Sequence, residues 1–129
     1  MSPTPRPTPA ELEILRVLWQ RGPSTVRDVH VELLKDRPGG YTTVLKLLQI
    51  MTEKGLVSRD ERPRAHVYSA AVEEGRTQRR LVRDLLDRAF GGSATKLVMH
   101  ALSARRASRD ELEGIRRLLD QLEREGGRR

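Results

Sequence analysis

Cysteine is absent from this 129-residue chain. That excludes disulfides and thiolate metal centres, and it fits a reducing compartment. Aromatic side chains are almost absent too, the whole set being Trp19, Tyr41, Tyr68 and Phe90. So few rings argue against an aromatic-lined small-molecule pocket and against a single-strand binder built on base stacking. No apolar run approaches the roughly 20 residues that cross a bilayer. The N-terminal MSPTPRPTPA is polar and proline-rich, without the apolar centre of a signal peptide. The expectation is a cytoplasmic protein with no direct membrane binding. His30, His66 and His100 are scattered, with no pair at metal-ligand spacing. No Ser/His/Asp arrangement, phosphate-cradling glycine loop or paired acid/base carboxylate stands out. The chain therefore reads as a non-enzyme that needs no metal and no cofactor.

What the chain does have is charge. Lys+Arg number 25 against 18 Asp+Glu, for a net charge of +7, and charged residues make up 33% of the sequence. Such a surplus favours polyanionic partners, because each neutralised phosphate releases condensed counterions. The surplus is spread over both halves, so charge alone does not locate a site.

The pattern along the chain is mostly helical. Thr8, Pro9 and Glu11 form an N-cap, a first-turn proline and a capping-box partner for a first helix. Its expected apolar stripe is Leu12, Leu15, Val17, Leu18 and Trp19, and Gly22-Pro23 ends it. A second helix begins at the Ser24-Thr25 cap signal and runs to about Lys35, with Val26, Val29, Leu33 and Leu34 inward. Residues 37–40 form a turn. A third helix spans 41–54 and stops at Gly55. At 100° per residue Val44, Leu47, Leu48 and Met51 share one face, with Thr42, Lys46, Gln49 and Glu53 opposite. Two strands follow, 56–59 and 65–70, joined by a loop over 60–64 that holds Pro63. The remainder is three helices. One covers 77–90, with Leu81, Val82, Leu85, Leu86 and Phe90, and ends at Gly91-Gly92. A short one covers 95–104. The last opens at a Ser108–Glu111 capping box.

Three helices and a basic hairpin in this order outline a winged helix-turn-helix, a module that lays a reading helix in the DNA major groove. The fold class is therefore mainly α, a winged helix-turn-helix (three helices plus a small β-hairpin) followed by an α-helical dimerisation domain. Residues 1–7 form a disordered arm, 8–71 the DNA-binding domain, 72–125 the dimerisation domain and 126–129 a tail. On the third helix, the hydroxyls of Thr42 and Thr43 can reach phosphates or base edges. Lys46 can reach guanine acceptors and Gln49 can read adenine. Leu45 and Ile50 flank that face and suit thymine methyls. The hairpin tip carries Arg59, Arg62 and Arg64, diluted by Asp60 and Glu61. Arg62 and Arg64 are the phosphate contacts expected of a wing, and Tyr68 is expected in the core.

The C-terminal helices would bury little surface alone. A second copy solves this and places two reading helices on a two-fold symmetric operator. Leu112, Ile115, Leu118, Leu119 and Leu122 form the expected dimer seam, with Leu81 and Leu85.

Three features together carry a resemblance: TPAELEILRVLW in the first helix, YTTVLKLLQIMTEKGLV in the third, and the order wing, long helix, Gly-Gly, short helix, capped last helix. Over residues 8–123 the chain resembles the BlaI/MecI penicillinase-repressor family. The resemblance implies a dimeric transcriptional repressor that binds palindromic operators through its winged helix. By position, the groove-facing set falls on Thr42, Thr43, Leu45 and Lys46; Gln49 comes from the helical wheel alone. The resemblance also implies a membrane sensor-protease that triggers cleavage within the short C-terminal helix. The matching bond is His100–Ala101, where the well-known members carry Asn-Phe. A copper-responsive branch of similar proteins ends in a cysteine cluster, and a chain without cysteine cannot use that switch.

The reading is a sequence-specific DNA-binding repressor acting as a homodimer. The alternatives are a winged-helix protein–protein interaction module and a ligand-responsive winged-helix regulator.

Overall fold

The computed structural model describes residues 6–34 and 40–127. Most of the expected N-terminal arm, residue 35 of the second helix, residues 37–39 of the turn and the last two tail residues lie outside the described residues. The Leu34 side chain does too. The chain divides into two compact units, residues 1–80 and 81–129.

In the first unit, α1 (Pro9–Arg21) starts at the capping box read from the sequence. The Thr8 hydroxyl accepts from the Glu11 amide at 3.2 Å, and the Thr8 amide donates to Glu11 Oε1 at 2.9 Å. The buried stripe is Glu11, Ile14, Leu15 and Leu18. This corrects the expected one: Ile14 replaces Leu12, Val17 and Trp19, which are only half-buried. Spacing of three, one and three residues puts the buried set on one face. Trp19 instead sends its indole N–H to the Val72 carbonyl at 3.0 Å.

Helix α2 (Val26–Leu34) is capped by Thr25 alone, through a reciprocal pair with Asp28 at 3.0 and 3.1 Å. Ser24 is not a cap. It is buried, and its amide and carbonyl pair with those of Tyr68 at 2.9 and 2.7 Å. Ser24 thus adds a one-residue rung to the sheet, and ties the α1–α2 turn to the wing.

Helix α3 (Tyr41–Lys54) has the expected bounds. Gly55 follows at φ 82°, a left-handed cap whose amide donates to the Met51 and Thr52 carbonyls. Glycine reaches that conformation without the penalty of a Cβ. Strands β1 (Val57–Asp60) and β2 (Val67–Ala70) pair antiparallel, Val57 opposite Ala70 and Asp60 opposite Val67. Leu56 is buried but lies ahead of the ladder, and residues 65 and 66 lie outside it, so both strands begin later than the sequence suggested. The core joins Ile14, Leu15 and Leu18 to Val26, Val29, Val44, Leu48, Met51, Leu56, Val57 and Tyr68. Leu47, expected inside, packs against it half-buried.

The chain continues in α4 (Glu74–Ala89), which begins before the expected residue 77. The Thr77 amide and hydroxyl both bond to the Glu73 carbonyl, so Thr77 already lies within the helix. Within the second unit, Ser93 caps α5 (Ala94–Ala104), and the Ser108–Glu111 box caps α6 (Arg109–Gly126). Helix α6 runs through Gly126, which was expected in the tail, and Gly127 closes it.

One polar contact locks the first unit. Glu11 is 1% exposed. Lys54, from the last turn of α3, donates to both its oxygens at 2.9 and 3.0 Å. Burial opposes ionisation of Glu11. The Thr8 amide and the Lys54 ammonium outweigh it, holding the carboxyl below its ordinary value of 4.5. Lys54→Met keeps the aliphatic stem but leaves the carboxylate without its cation. The expected cost in urea unfolding is about 2 kcal/mol, below the 3–5 of a fully buried pair, because the lysine side chain is 29% exposed. The pH dependence follows from the depressed value. Glu11 contributes its stability above the unfolded-state pKa and loses it as pH falls through the folded one. Wild type should therefore weaken below about pH 4.5 more steeply than Glu11→Gln. Parallel acid limbs for the two proteins would refute this role.

Candidate nucleic-acid interface

The inward face of α3 determines what points out. With Val44, Leu48 and Met51 buried, Thr42, Thr43, Lys46 and Gln49 are exposed on the opposite side. These are the residues chosen from the sequence, and they form one continuous surface. Leu45 sits at its edge, half-buried and packed against the core, while Ile50 is exposed. Gly40 precedes α3 and supplies no side-chain cap to the amides of its first turn. Such an end attracts anions through its free N–H groups and its dipole. Tyr41 stands on that turn, half-exposed, its ring edge-to-face with His30 at 5.9 Å.

The wing is electrostatically divided. At its tip Arg62 is bidentate on Asp60, through Nε and Nη2 at 2.9 Å each. The Arg62 amide adds a third bond to the same carboxylate at 3.1 Å. These bonds hold the Asp60 carboxyl below its ordinary range. Arg59 pairs with Glu61 at 2.6 Å. Arg64 makes no ion pair among the described residues. It lines an open concavity together with Thr25, Val26, Arg27, Tyr41, Leu45, Ala65, His66 and Tyr68. Of the two arginines expected to touch phosphate, Arg62 must exchange one carboxylate for another anion, and Arg64 need not. The exchange is cheap, since water and salt screen an exposed ion pair.

Arg27, Tyr41 and His66 were not singled out from the sequence. Only the fold brings α2, α3 and the wing to one hollow, and no local motif signals it. Among the described residues no group of three or more His, Asp or Glu could hold a metal ion. No helix among them is long and apolar enough to cross a membrane.

In the second unit, none of the residues of α4, α5 and α6 is buried. Leu85, Leu118, Leu119 and Leu122 are 50–53% exposed, and Leu81, Leu112 and Ile115 are half-buried. Val82, Val98, Met99 and Leu102 add further exposed apolar surface. His100 and Ala101 are exposed inside α5, with the His100 ring 5.7 Å from that of Phe90.

The penicillinase repressor family model matches residues 7–121, nearly the whole chain. The chain belongs to the penicillinase repressor family. One relative in that family, the transcriptional regulator BlaI of Mycobacterium tuberculosis, is 35% identical over 121 residues, covering 92% of this chain and 86% of its own. The penicillinase repressor of Bacillus licheniformis is 23% identical over 94% of both chains. Among solved structures, the DNA-binding domain of the repressor BlaI matches with TM-score 0.51 and 27% identity, over 57% of this chain and 90% of that one. Monomeric B. licheniformis BlaI in complex with the blaP half-operator matches with TM-score 0.50 and 27% identity, over 58% and 92%. The family consists of transcriptional repressors rather than enzymes.

Proposed function

We propose that this protein represses transcription by occupying a palindromic operator in double-stranded DNA as a homodimer, in the cytoplasm. One observation carries the reading: α3 presents Thr42, Thr43, Lys46 and Gln49 on one exposed face beside a wing, in a chain of the penicillinase repressor family. Residues 8–71 supply the DNA contact. Lys46 and Gln49 read bases, Thr42 and Thr43 meet phosphates or base edges, Leu45 borders the groove, and Arg62 and Arg64 anchor the wing. Residues 72–125 supply the dimer through Leu81, Leu85, Leu112, Ile115, Leu118, Leu119 and Leu122. The half-exposed apolar side chains of α4–α6 support this, since burying one fully gains about 1.5–3 kcal/mol. Release would follow the route of the well-known members, with a membrane sensor-protease and a cut at His100–Ala101. That bond lies inside α5, which must open before a protease can hold it.

The test is fluorescence anisotropy of the protein on duplexes tiled from its own upstream region, with a scrambled duplex as control, at two salt concentrations. Selective binding to a dyad-symmetric tile is expected. Uniform binding to every tile would overturn the sequence-specific reading.

Two variants sharpen it. Lys46→Ala should cost about 1–3 kcal/mol on the preferred tile and relax selectivity. An equal loss on the scrambled duplex would make Lys46 a phosphate contact instead. Leu118→Asp should halve the sedimentation mass and nearly abolish tile binding, because a single half-site is weak. An unchanged mass would remove Leu118 from the seam.

A further inference from the structure

The hollow between the start of α2, the first turn of α3 and the root of the wing differs in charge from the wing tip. Its cations are Arg27 from α2 and Arg64 from the wing, with the His66 imidazole beside them. No carboxylate lines it among the described residues. Asp28, next to Arg27, accepts from the Thr25 amide at 3.0 Å and pairs with the Arg21 guanidinium at 3.2 Å, and the Arg27 charge also acts on it. Arg27 and Arg64 make no ion pair among the described residues, whereas both arginines at the tip are matched by acids.

We propose that this hollow is a seat for the DNA phosphodiester backbone bordering the groove read by α3, with Arg27 and Arg64 as its cationic contacts and His66 as a third donor. It rests on the DNA-binding reading above and places the main backbone anchor at the wing root rather than its tip. Geometry supports it, because a helix lying in the major groove has a row of phosphates along each side. The hollow opens beside the first turn of α3, where that row runs. Leu45 and Tyr68 give it an apolar floor.

His66 adds a dependence on pH. An imidazole changes its charge between about pH 5 and 8, and an adjacent phosphate favours the charged form. The groups around His66 are Arg27 from α2, Tyr41 from α3, Arg64 from the wing and Tyr68 from β2, with His30 behind Tyr41. None is an acid, and an incoming phosphate brings a negative charge beside His66. Operator binding should therefore take up a proton and strengthen as pH falls.

The experiment uses the full chain, its best-bound upstream tile and the scrambled duplex, over a salt series and from pH 8 to 6. Arg27→Ala should weaken both duplexes by a similar factor, roughly tenfold per protomer for a charged hydrogen bond, and lower the salt slope of the dimer by about 2, one for each copy. Arg27→Lys should restore the slope. Arg16→Ala removes the same charge from the exposed side of α1 and should change affinity far less. Wild type should bind more tightly at pH 6 than at pH 8, and His66→Gln should show a smaller rise. If wild type selects its tile while Arg27→Ala and His66→Gln match it in affinity, slope and pH profile, the seat is overturned and the DNA-binding reading stands. A loss on the tile alone would make Arg27 a base contact and also overturn the seat. If wild type binds neither duplex at low salt, the DNA-binding reading falls and the seat with it.

Discussion

The Glu11 carboxylate is the constraint on which the first unit depends. It is almost fully buried, and it accepts from the Thr8 amide at the start of α1 and from Lys54 at the end of α3. A buried carboxylate without its cation costs several kcal/mol. The two helices must therefore meet at this point, and α3 is held against rotation about its own axis. Its far end is restrained by the core contacts of Val44, and its outlet by the left-handed Gly55. With that rotation fixed, the 100° step between residues places Thr42, Thr43, Lys46 and Gln49 outward. The reading face is thus set by one ion pair and three buried apolar residues rather than by anything on the face itself.

The wing is placed by a different device. Ser24 pairs its backbone with Tyr68, so the turn between α1 and α2 adds a one-residue bridge along the edge of β2. The buried Tyr68 ring then carries β2 onto the core. As a result the wing root lies beside the start of α2, and side chains far apart in sequence converge. Net charge does not reveal this. The +7 surplus is spread along the chain, and what matters locally is which cations are already matched by acids. At the tip Asp60 and Glu61 match Arg62 and Arg59. At the root no acid lines the hollow among the described residues, and Asp28 beside Arg27 is already paired with Arg21.

Much of this was legible in the residues. Capping boxes at Thr8 and Ser108, the Gly55 stop and the 3.6-residue period of α3 are local signals, and each gave the correct element. The outer face of α3 followed from the same period. What was not legible is what tertiary contact decides. Glu11 looked like a capping residue only, because its second role needs Lys54, which is remote in sequence. Ser24 looked like a cap because a one-residue bridge has no alternating pattern to announce it. The stripe of α1 was misjudged at Ile14 because apolar residues occupy more than one face of that helix, and packing chose among them. Arg27 and His66 escaped notice for the reason that hid Ser24: their neighbourhood exists only once the wing is docked.

The second unit carries the remaining physical tension. Helices α4 and α6 run 16 and 18 residues, yet no side chain on α4, α5 or α6 is buried. Leu118, Leu119 and Leu122 stay half-exposed along α6. Helices in water draw most of their stability from a buried face rather than from intrinsic propensity, so these stripes favour association. A second copy offers the same stripes in a self-complementary arrangement, which a two-fold interface requires. Association of two chains also links two reading faces, so that the second half-site is met at high effective concentration rather than from bulk solution. In the proposed dimer, contacts from short side chains such as Thr42 and Thr43 would be weak singly and selective in pairs. On that reading the modest chemistry of the α3 face and the exposed leucines of the second unit are linked: two copies would specify what one would not.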